Sequence, residues 1–230
     1  MNPTSIKVLL QHFPLFKSLA EDELDLIVHL AKKRVYLKGS HIFLQGEPLS
    51  NVYFISNGKI KIYRLDPQGN EQIVNILNRG GMFPHQVFFR NTDYPAYAQA
   101  MEDTVLFFIP IHSFEKFLIH NPKVCMKIFR ILGEQIVDLQ KRLEEKLLYN
   151  TYEQILLLLL RLAKNHGDKL TAANVRLNTQ FTNRDLANMI GSSRETISRT
   201  LSQLKKKNMI DNDENGYMII NTEKLKEELI

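Results

Sequence analysis

The pattern of apolar residues changes twice along this chain and divides it into two helical regions with a strand-rich region between them. Over residues 14–33 the spacing is helical, with Ser18 and Glu21 placed as a cap at the helix start. Between residues 34 and 111, short segments rich in β-branched and aromatic residues alternate with glycine-containing turns. This alternation is typical of a β-roll, jelly roll or sandwich. Helical spacing returns after residue 120, so we predict an α+β fold.

A long helix is predicted after the β segment, and it carries a narrow apolar stripe. Asn121 and Pro122 mark its start, because proline is tolerated in the first turn of a helix. Six side chains then follow at intervals of 4-3-4-3-4, and a strict heptad stripe favours a seam between two chains over packing within one domain. The seam residues are Cys125, Phe129, Leu132, Ile136, Leu139 and Leu143.

A further helix is predicted from the residues that follow. Asn150 and Glu153 have the spacing of a capping box, and five consecutive leucines come soon after them. A helix that is apolar on all sides is normally buried, so it predicts the core of a second domain. We therefore place the β domain at residues 1–120, the long helix at 121–149 and an α-rich domain at 150–230.

Residues 182–207 have the pattern of two short helices joined by a turn. Thr182, with an acidic residue three positions later, is typical of a capped helix start. Gly191 permits a tight turn, and either Ser192 or Ser193 can cap the second helix. The chain therefore predicts a helix-turn-helix, the arrangement that places a second helix in the major groove of DNA.

The second helix of this pair has one apolar and one polar side. Ile197, Leu201 and Leu204 recur at helical spacing and are expected to face inward. An arginine on the outer side can bind guanine with two hydrogen bonds, and a glutamate can accept from the amino group of cytosine. The residues predicted to face the bases are Arg194, Glu195, Ser198 and Arg199.

Other polar residues around this helix suit the DNA backbone. Hydroxyls and amides at helix starts commonly bind phosphate, and the lysine run at 205–207 adds attraction that does not depend on sequence. The predicted phosphate contacts are Thr182, Ser193, Thr196, Lys205 and Lys206. The text after the helix predicts a two-stranded wing with a turn at Asn215 and Gly216. The wing carries Asp211, Asp213 and Glu214, which disfavour entry into the minor groove.

Composition and motif content narrow the classes of function that the sequence allows. The formal net charge of +5 permits binding to a polyanion, and residues 180–210 carry six basic against two acidic side chains. The single cysteine, Cys125, excludes an intrachain disulfide and a cysteine-ligated zinc or iron–sulfur site. We find no signal peptide, membrane span, Gly-rich phosphate loop, nucleophile elbow or metal-ligand spacing. We therefore expect a cytoplasmic, non-enzymatic protein without a metal or cofactor.

The segment S-S-R-E-T-I-S-R, with L-A-x-x-I-G before it, resembles the DNA-binding signature of the Crp/Fnr superfamily. Three further motifs are similar to the β domain of that family: F-K-S-L-x-x-x-E-L, K-G-x-x-I-F-x-Q-G-E and N-G-K-I-K-I-Y. The resemblance covers about residues 13–220. It implies an N-terminal antiparallel β-roll (a double-stranded β-helix or jelly roll), a long dimerisation helix and a C-terminal winged helix-turn-helix.

The resemblance also implies partners and a binding mode. It implies a homodimer on an inverted-repeat operator of the TGTGA type, with RNA polymerase as a further partner. Arg199 and Arg194 would contact guanines and Glu195 a cytosine. The two recognition helices would lie roughly 34 Å apart, one turn of DNA.

This sequence departs from the members of the family that bind cyclic AMP. His85 stands where they have the glutamate that binds the ribose, and Tyr94 where they have the arginine that binds the phosphate. In the long helix, Leu139 and Gln140 replace the polar pair that binds adenine. The resemblance therefore implies a regulator that does not respond to cyclic AMP, because a phosphate without its cation loses its charge-assisted hydrogen bonds.

Several sensing modes stay open from the sequence. The roll can keep an effector pocket lined by His85, Gln86, Tyr94 and Gln140, with an unidentified effector. The alternatives are a haem sensor at His85, a redox sensor at Cys125, and an effector-sensing module that does not bind DNA. The F-P-H-x-x-F-F text is similar to Gram-positive members linked to anaerobic arginine catabolism.

Overall fold

Two groups of elements, each with its own hydrophobic core, make up the protein. The computed structural model describes residues 7, 10–11, 13, 15–17, 19–85, 87–90 and 92–229. The described residues up to Leu65, together with Ile73–Val137, form the first contact unit. Asp66–Gln72 and the residues from Asp138 onward form the second.

The helix that begins at Glu21 is shorter than the sequence predicts. Helix α1 is Glu21–Leu30, and the Ala20 N–H before it donates to Glu23 Oε2 at 2.8 Å. The predicted cap, Ser18, lies outside the described residues. The helix ends before residue 33 because Lys32 already pairs with Phe108 in a β-sheet.

The β domain consists of two four-stranded sheets, with strand orders β1-β8-β3-β6 and β2-β7-β4-β5. The strand pairs β1–β8, β3–β8, β3–β6, β2–β7 and β4–β7 are antiparallel. This arrangement confirms the predicted antiparallel β-roll. The strands are β1 (Lys32–Tyr36), β2 (His41–Phe43), β3 (Asn51–Asn57), β4 (Ile60–Leu65), β5 (Glu71–Leu77), β6 (Met82–Phe83), β7 (Tyr97–Ala100) and β8 (Thr104–Pro110).

Strand β3 joins the two parts of the first core. Val52 and Phe54 pack with the helical residues of this unit, whereas Tyr53 and Ile55 pack with Phe43 inside the roll. Successive side chains of a strand point to opposite faces, so a strand buried on both faces is apolar throughout instead of alternating with polar residues. This explains the unbroken run V-Y-F-I in the sequence.

Two helices follow the roll, and the second has an exposed apolar stripe. Helix α2 is Ile111–His120, and α3 is Pro122–Leu148. Near its start α3 buries Val124 and Ile128 in the first core. Most of the predicted seam is exposed: Phe129, Ile136, Leu139 and Leu143 are 61, 57, 55 and 60% exposed. Cys125 and Leu132 are half-buried, and Leu132 packs against the first core.

The remaining residues build a small α+β domain around helix α4 (Thr151–His166). Asn150 caps α4 as predicted, since its side chain accepts from the Glu153 N–H at 3.1 Å. The buried side of α4 forms the second core, with Ile155, Leu159 and their neighbours. Despite these leucines, no helix among the described residues combines the length and hydrophobicity of a membrane span.

A four-stranded sheet completes this domain, in the order β11-β12-β10-β9. The sequence predicts only its last two strands, because β9 and β10 are short. Gly167 opens β9 where a Cβ would lie 2.2 Å from Val175 Cγ1 and 2.3 Å from the Ala163 carbonyl oxygen, so no larger residue fits. The elements are β9 (Gly167–Lys169), β10 (Asn174–Leu177), α5 (Asn183–Ile190), α6 (Arg194–Lys206), β11 (Ile210–Asn212), β12 (Met218–Asn221) and α7 (Thr222–Glu227).

Candidate nucleic-acid interface

Helix α5 begins at a reciprocal cap. Thr182 Oγ1 accepts from the Asp185 N–H at 3.1 Å and donates to Asp185 Oδ2 at 2.6 Å. The Thr182 N–H donates to the same carboxylate at 2.9 Å. The predicted cap is therefore present, and the hydroxyl proton of Thr182 points to Asp185. A phosphate at this helix start would instead meet backbone N–H groups, which remain unpaired in the first turn of a helix.

The turn after α5 depends on one residue in the left-handed region. Gly191 has φ 67° and ψ 51°, a conformation that favours glycine, and its N–H donates to the Ala187 carbonyl. Of the two serines that could cap the next helix, the structure uses Ser193. Its Oγ accepts from the Thr196 N–H at 3.1 Å and lies 3.0 Å from the Thr196 hydroxyl.

Helix α6 places its polar residues on one exposed side. Ile197 and Leu204 are fully buried and Leu201 nearly so, as the spacing predicts. Thr200 is also buried, which the sequence does not predict. The opposite side of the helix carries four exposed side chains that lie next to one another over its first two turns: Arg194, Glu195, Ser198 and Arg199. The predicted base-facing set thus points outward together.

The carboxylate in this set is held in its charged form. Hydrogen bonds from its own backbone N–H and from the Ser193 hydroxyl lower the pKa of Glu195, and the charges of Arg194 and Arg199 lower it further. An ionised carboxylate accepts hydrogen bonds and donates none. At neutral pH this side of α6 therefore offers two sets of guanidinium donors around one acceptor.

The lysine run at the end of α6 does not act as one cationic group. Lys205 and Lys206 are exposed, as predicted. Lys207 instead forms an ion pair with Glu228, and its ammonium lies 5.8 Å from the centre of the Tyr152 ring. The hydrogen bond to Glu228 raises the pKa of Lys207 and lowers that of Glu228. Because Glu228 balances its charge, Lys207 contributes less to attraction for DNA than the sequence indicates. The sequence does not reveal this ion pair, since the two residues are 21 positions apart.

The wing is present, with Gly216 at φ 81° in its turn. Asp213 does not extend from the tip: it accepts the N–H groups of Asn215 and Tyr217 at 3.0 and 2.8 Å, and Arg176 Nε at 2.5 Å. Arg176 also lies over the Tyr217 ring, 4.2 Å from its centre. The hydrogen bond from Arg176 lowers the pKa of Asp213 and balances its charge. The sequence misses Arg176, which precedes Asp213 by 37 residues.

Inside the roll, Tyr94 is a core residue. Its side chain is almost fully buried, and its ring stacks on Phe43 with 3.8 Å between ring centres. The hydroxyl accepts from the Asn51 N–H at 3.0 Å and the Ser50 N–H at 3.3 Å, and donates to the Asn51 carbonyl at 3.3 Å. Tyr94 therefore packs within the interior of the roll, and its place in the lining of an effector pocket stays a prediction.

The other predicted pocket residues have different surroundings. His85 is half-buried, with Nδ1 3.4 Å from the Met82 carbonyl oxygen, and burial lowers its pKa so that the neutral imidazole is favoured. Gln86 lies outside the described residues. Gln140 is exposed on α3 and belongs to the second contact unit.

The fold and the exposed polar side of α6 define a class of protein, the DNA-binding transcription regulators that join a β-roll to a winged helix-turn-helix. Comparison with protein families supports both parts. The Cyclic nucleotide-binding domain family matches residues 33–121, and the Crp-like helix-turn-helix domain family matches residues 153–228. The chain belongs to the Crp/Fnr family of transcription regulators.

The similarity to known proteins extends over most of the chain. The Anaerobic regulatory protein of Bacillus subtilis is 26% identical over 205 residues, which is 88% of this chain and 85% of that protein. The Cyclic AMP receptor protein of Thermus thermophilus is 26% identical over 197 residues, 86% of this chain and 88% of that protein. Among solved structures, a CooA mutant from Carboxydothermus hydrogenoformans has a TM-score of 0.76 at 20% identity and covers 96% of this chain and 95% of its own. At that identity the likeness shows the fold alone.

Proposed function

We propose that this protein is a homodimeric regulator that binds an inverted-repeat operator of the TGTGA type and that does so without cyclic AMP. The observation that carries the proposal is the exposed side of α6, where Arg194, Glu195 and Arg199 lie together. Two arginines can each contact a guanine with two hydrogen bonds, and the ionised Glu195 can accept from cytosine. A TGTGA half-site offers two guanines, and the cytosines paired with them, within three base pairs.

Dimerisation is supported by the apolar stripe of α3. The stripe residues Phe129, Ile136, Leu139 and Leu143 are each more than half exposed in the single chain. Leaving several large apolar side chains in water is unfavourable, and a heptad stripe buries them by pairing with a second copy. A two-fold dimer carries two recognition helices, and two-fold symmetry in the protein requires an inverted repeat in the DNA.

Backbone contacts would orient α6 on the duplex without selecting a sequence. The exposed lysines Lys205 and Lys206 supply charge near the end of α6, and Ser193 and Thr196 supply hydroxyls at its start. Thr182 marks the start of α5, where backbone N–H groups are available to a phosphate. We assign phosphate contacts to the side chains of Ser193, Thr196, Lys205 and Lys206 and, at Thr182, to the backbone N–H groups of the helix start that it caps.

A titration with labelled duplexes tests the operator. The duplex carries TGTGA and TCACA half-sites separated by six base pairs, and fluorescence anisotropy reports binding. We expect a dissociation constant on the order of 10⁻⁸–10⁻⁹ M at moderate salt, weakening steeply as salt rises. A scrambled duplex of the same composition and a duplex with one half-site are the controls. Equal affinity for the scrambled duplex would show that α6 does not select bases.

The proposed independence from cyclic AMP has support inside the roll. Tyr94 occupies the position where the resemblance places the phosphate-binding arginine, and its ring stacks on Phe43. The neutral form favoured for His85 gives no cation in its place. A charged phosphate buried without a cation loses several kcal/mol of solvation with little in return, by the order of magnitude known for buried ions.

Isothermal titration calorimetry of the purified dimer with cyclic AMP checks this expectation. We expect no binding heat up to millimolar nucleotide, and an operator affinity that is unchanged by its presence. A cyclic-AMP-dependent regulator of the same fold serves as the positive control for the nucleotide stock. Saturable heat, or a tightening of operator binding on adding the nucleotide, would contradict the proposal.

A further inference from the structure

The last turns of α3 contact the domain that carries the helix-turn-helix. From Asp138 onward α3 belongs to the second contact unit, together with α4, α5 and α6. Glu145, near the end of α3, accepts from Arg161 of α4, with Oε2 and Nη1 2.7 Å apart. The two side chains are only 13 and 19% exposed, so water screens this ion pair less than an ion pair at the surface.

The neighbouring residue contacts the helix-turn-helix directly. Lys146 Nζ donates to the Ile190 carbonyl at 3.0 Å and to Gln154 Oε1 at 3.3 Å. Ile190 is the last residue of α5, and Gly191 begins the turn that leads to α6. The last carbonyls of a helix lack partners within it and carry the negative end of its dipole, so a lysine there is stabilising.

We propose that these two contacts, which we call the α3 bracket (the Glu145–Arg161 ion pair and the Lys146–Ile190 hydrogen bond), set the orientation of the recognition helix relative to the dimer seam. Residues Glu145 and Lys146 are positioning residues that do not touch DNA. The inference rests on the proposed function, because it needs two copies paired along α3 and an operator with two half-sites.

The dimer seam and the α3 bracket lie on the same segment of α3. Leu139 and Leu143 of the seam lie within two turns of Glu145 and Lys146, so pairing of the two α3 helices also fixes where the two brackets lie. Each bracket then holds the α5 turn, and through it the start of α6. The separation and rotation of the two recognition helices follow from this chain of contacts.

Operator spacing measures that geometry. Each base pair added between half-sites moves the second site by about 3.4 Å and rotates it by about 34° around the duplex. A rigid bracket therefore makes the dimer strict about spacing, whereas a loosened bracket lets each α6 adjust to its half-site. The hydrophobic core of the domain, built by residues such as Leu159 and Ile197, does not include the bracket and is expected to stay folded without it.

The experiment compares three operators whose TGTGA and TCACA half-sites are separated by five, six and seven base pairs. The variants are Lys146→Met alone and the double variant Glu145→Gln with Lys146→Met. We expect the preference of the wild type for its best spacing, about tenfold, to fall to about twofold in the double variant, a change in the range of common coupling energies between sites. Lys146→Arg keeps a donor at the α5 end and is expected to retain the preference.

Lys141→Met and Glu144→Gln, exposed positions of the same helix, are the matched controls. Sedimentation and thermal melting establish that each variant is a folded dimer; Lys146→Met changes an exposed residue and keeps the test available if the double variant is unstable. Unchanged spacing preference in the bracket variants, or an equal loss of affinity on all three operators, would overturn the inference while the proposed function stands. A wild type that fails to distinguish these operators from scrambled DNA would instead overturn the proposed function.

Discussion

Replacing Ile136 and Leu143 with lysine is expected to convert the protein to a folded monomer and to abolish binding to the inverted repeat. Both side chains lie in the apolar stripe of α3 and are more than half exposed in the single chain, so neither belongs to the core of its own domain. In a dimer the double change would bring four ammonium groups into the seam. Burying unpaired charges costs several kcal/mol each in proteins, by order of magnitude, which exceeds what the rest of the stripe can offset.

The loss of affinity follows from the loss of the second half-site. A monomer contacts one half-site only, so the two binding events no longer occur within one complex. The gain from linking two sites is commonly about 10²–10⁴-fold, and we expect the double variant to lose affinity of that order. Sedimentation velocity measures the association state, anisotropy with the operator measures the affinity, and circular dichroism establishes that the fold is kept.

Val137→Lys is the matched control for this prediction. Val137 is apolar, 65% exposed and adjacent to Ile136, but it does not belong to the heptad positions. We expect this variant to remain a dimer with nearly wild-type affinity. A double variant of Ile136 and Leu143 that still sediments as a dimer would show that the stripe is not the seam.

Replacing Arg199 with alanine is expected to weaken binding to the TGTGA operator by about 1–3 kcal/mol for each half-site, or about 5- to 150-fold for each, and to relax the preference at one base pair of each half-site. Arg199 lies on the exposed side of α6, beside Ser198 and one turn after Glu195. An arginine placed there can make two parallel hydrogen bonds to guanine, which no other base accepts with the same geometry. The measurement is anisotropy over a set of duplexes that vary one base pair at a time.

The control for Arg199→Ala is Gln203→Ala, an exposed position one turn further along α6. We expect it to change neither the affinity nor the base preference appreciably. A contact between Arg199 and phosphate gives a different result: affinity would fall equally on all sequences, and the slope of log affinity against log salt would decrease by about one for each subunit. That pattern would remove Arg199 from the base-contacting set.

The local sequence pattern was sufficient to predict an element, and the direction of its side chains, where spacing or composition alone decides the structure. The buried positions Ile197 and Leu204 lie at helical spacing, so the outward direction of Arg194 and Arg199 followed once α6 was assigned. The run V-Y-F-I predicted a strand through its composition, since β-branched and aromatic residues between turns favour a sheet. Gly191 indicated the turn because few other residues adopt its backbone conformation.

The sequence pattern did not predict side-chain contacts between residues that are far apart in the chain. Lys207 has the same local sequence context as Lys205 and Lys206, yet it pairs with Glu228. The motif around Tyr94 does not indicate that its ring stacks on Phe43, which lies far away in the chain. In both cases the polar or aromatic group is satisfied by a residue that only the folded chain brings within reach.

The sequence by itself determined the class of fold, the polar side of the recognition helix and the apolar stripe of α3, because each depends on which face of one element avoids water. Only the tertiary structure decided where α1 ends, which charges are balanced and which residues join α3 to the helix-turn-helix. Glu145 meets Arg161, and Lys146 meets the carbonyl of Ile190. Such contacts depend on the distance and angle between elements, and these are set by packing over the whole domain and leave no periodic trace in the chain.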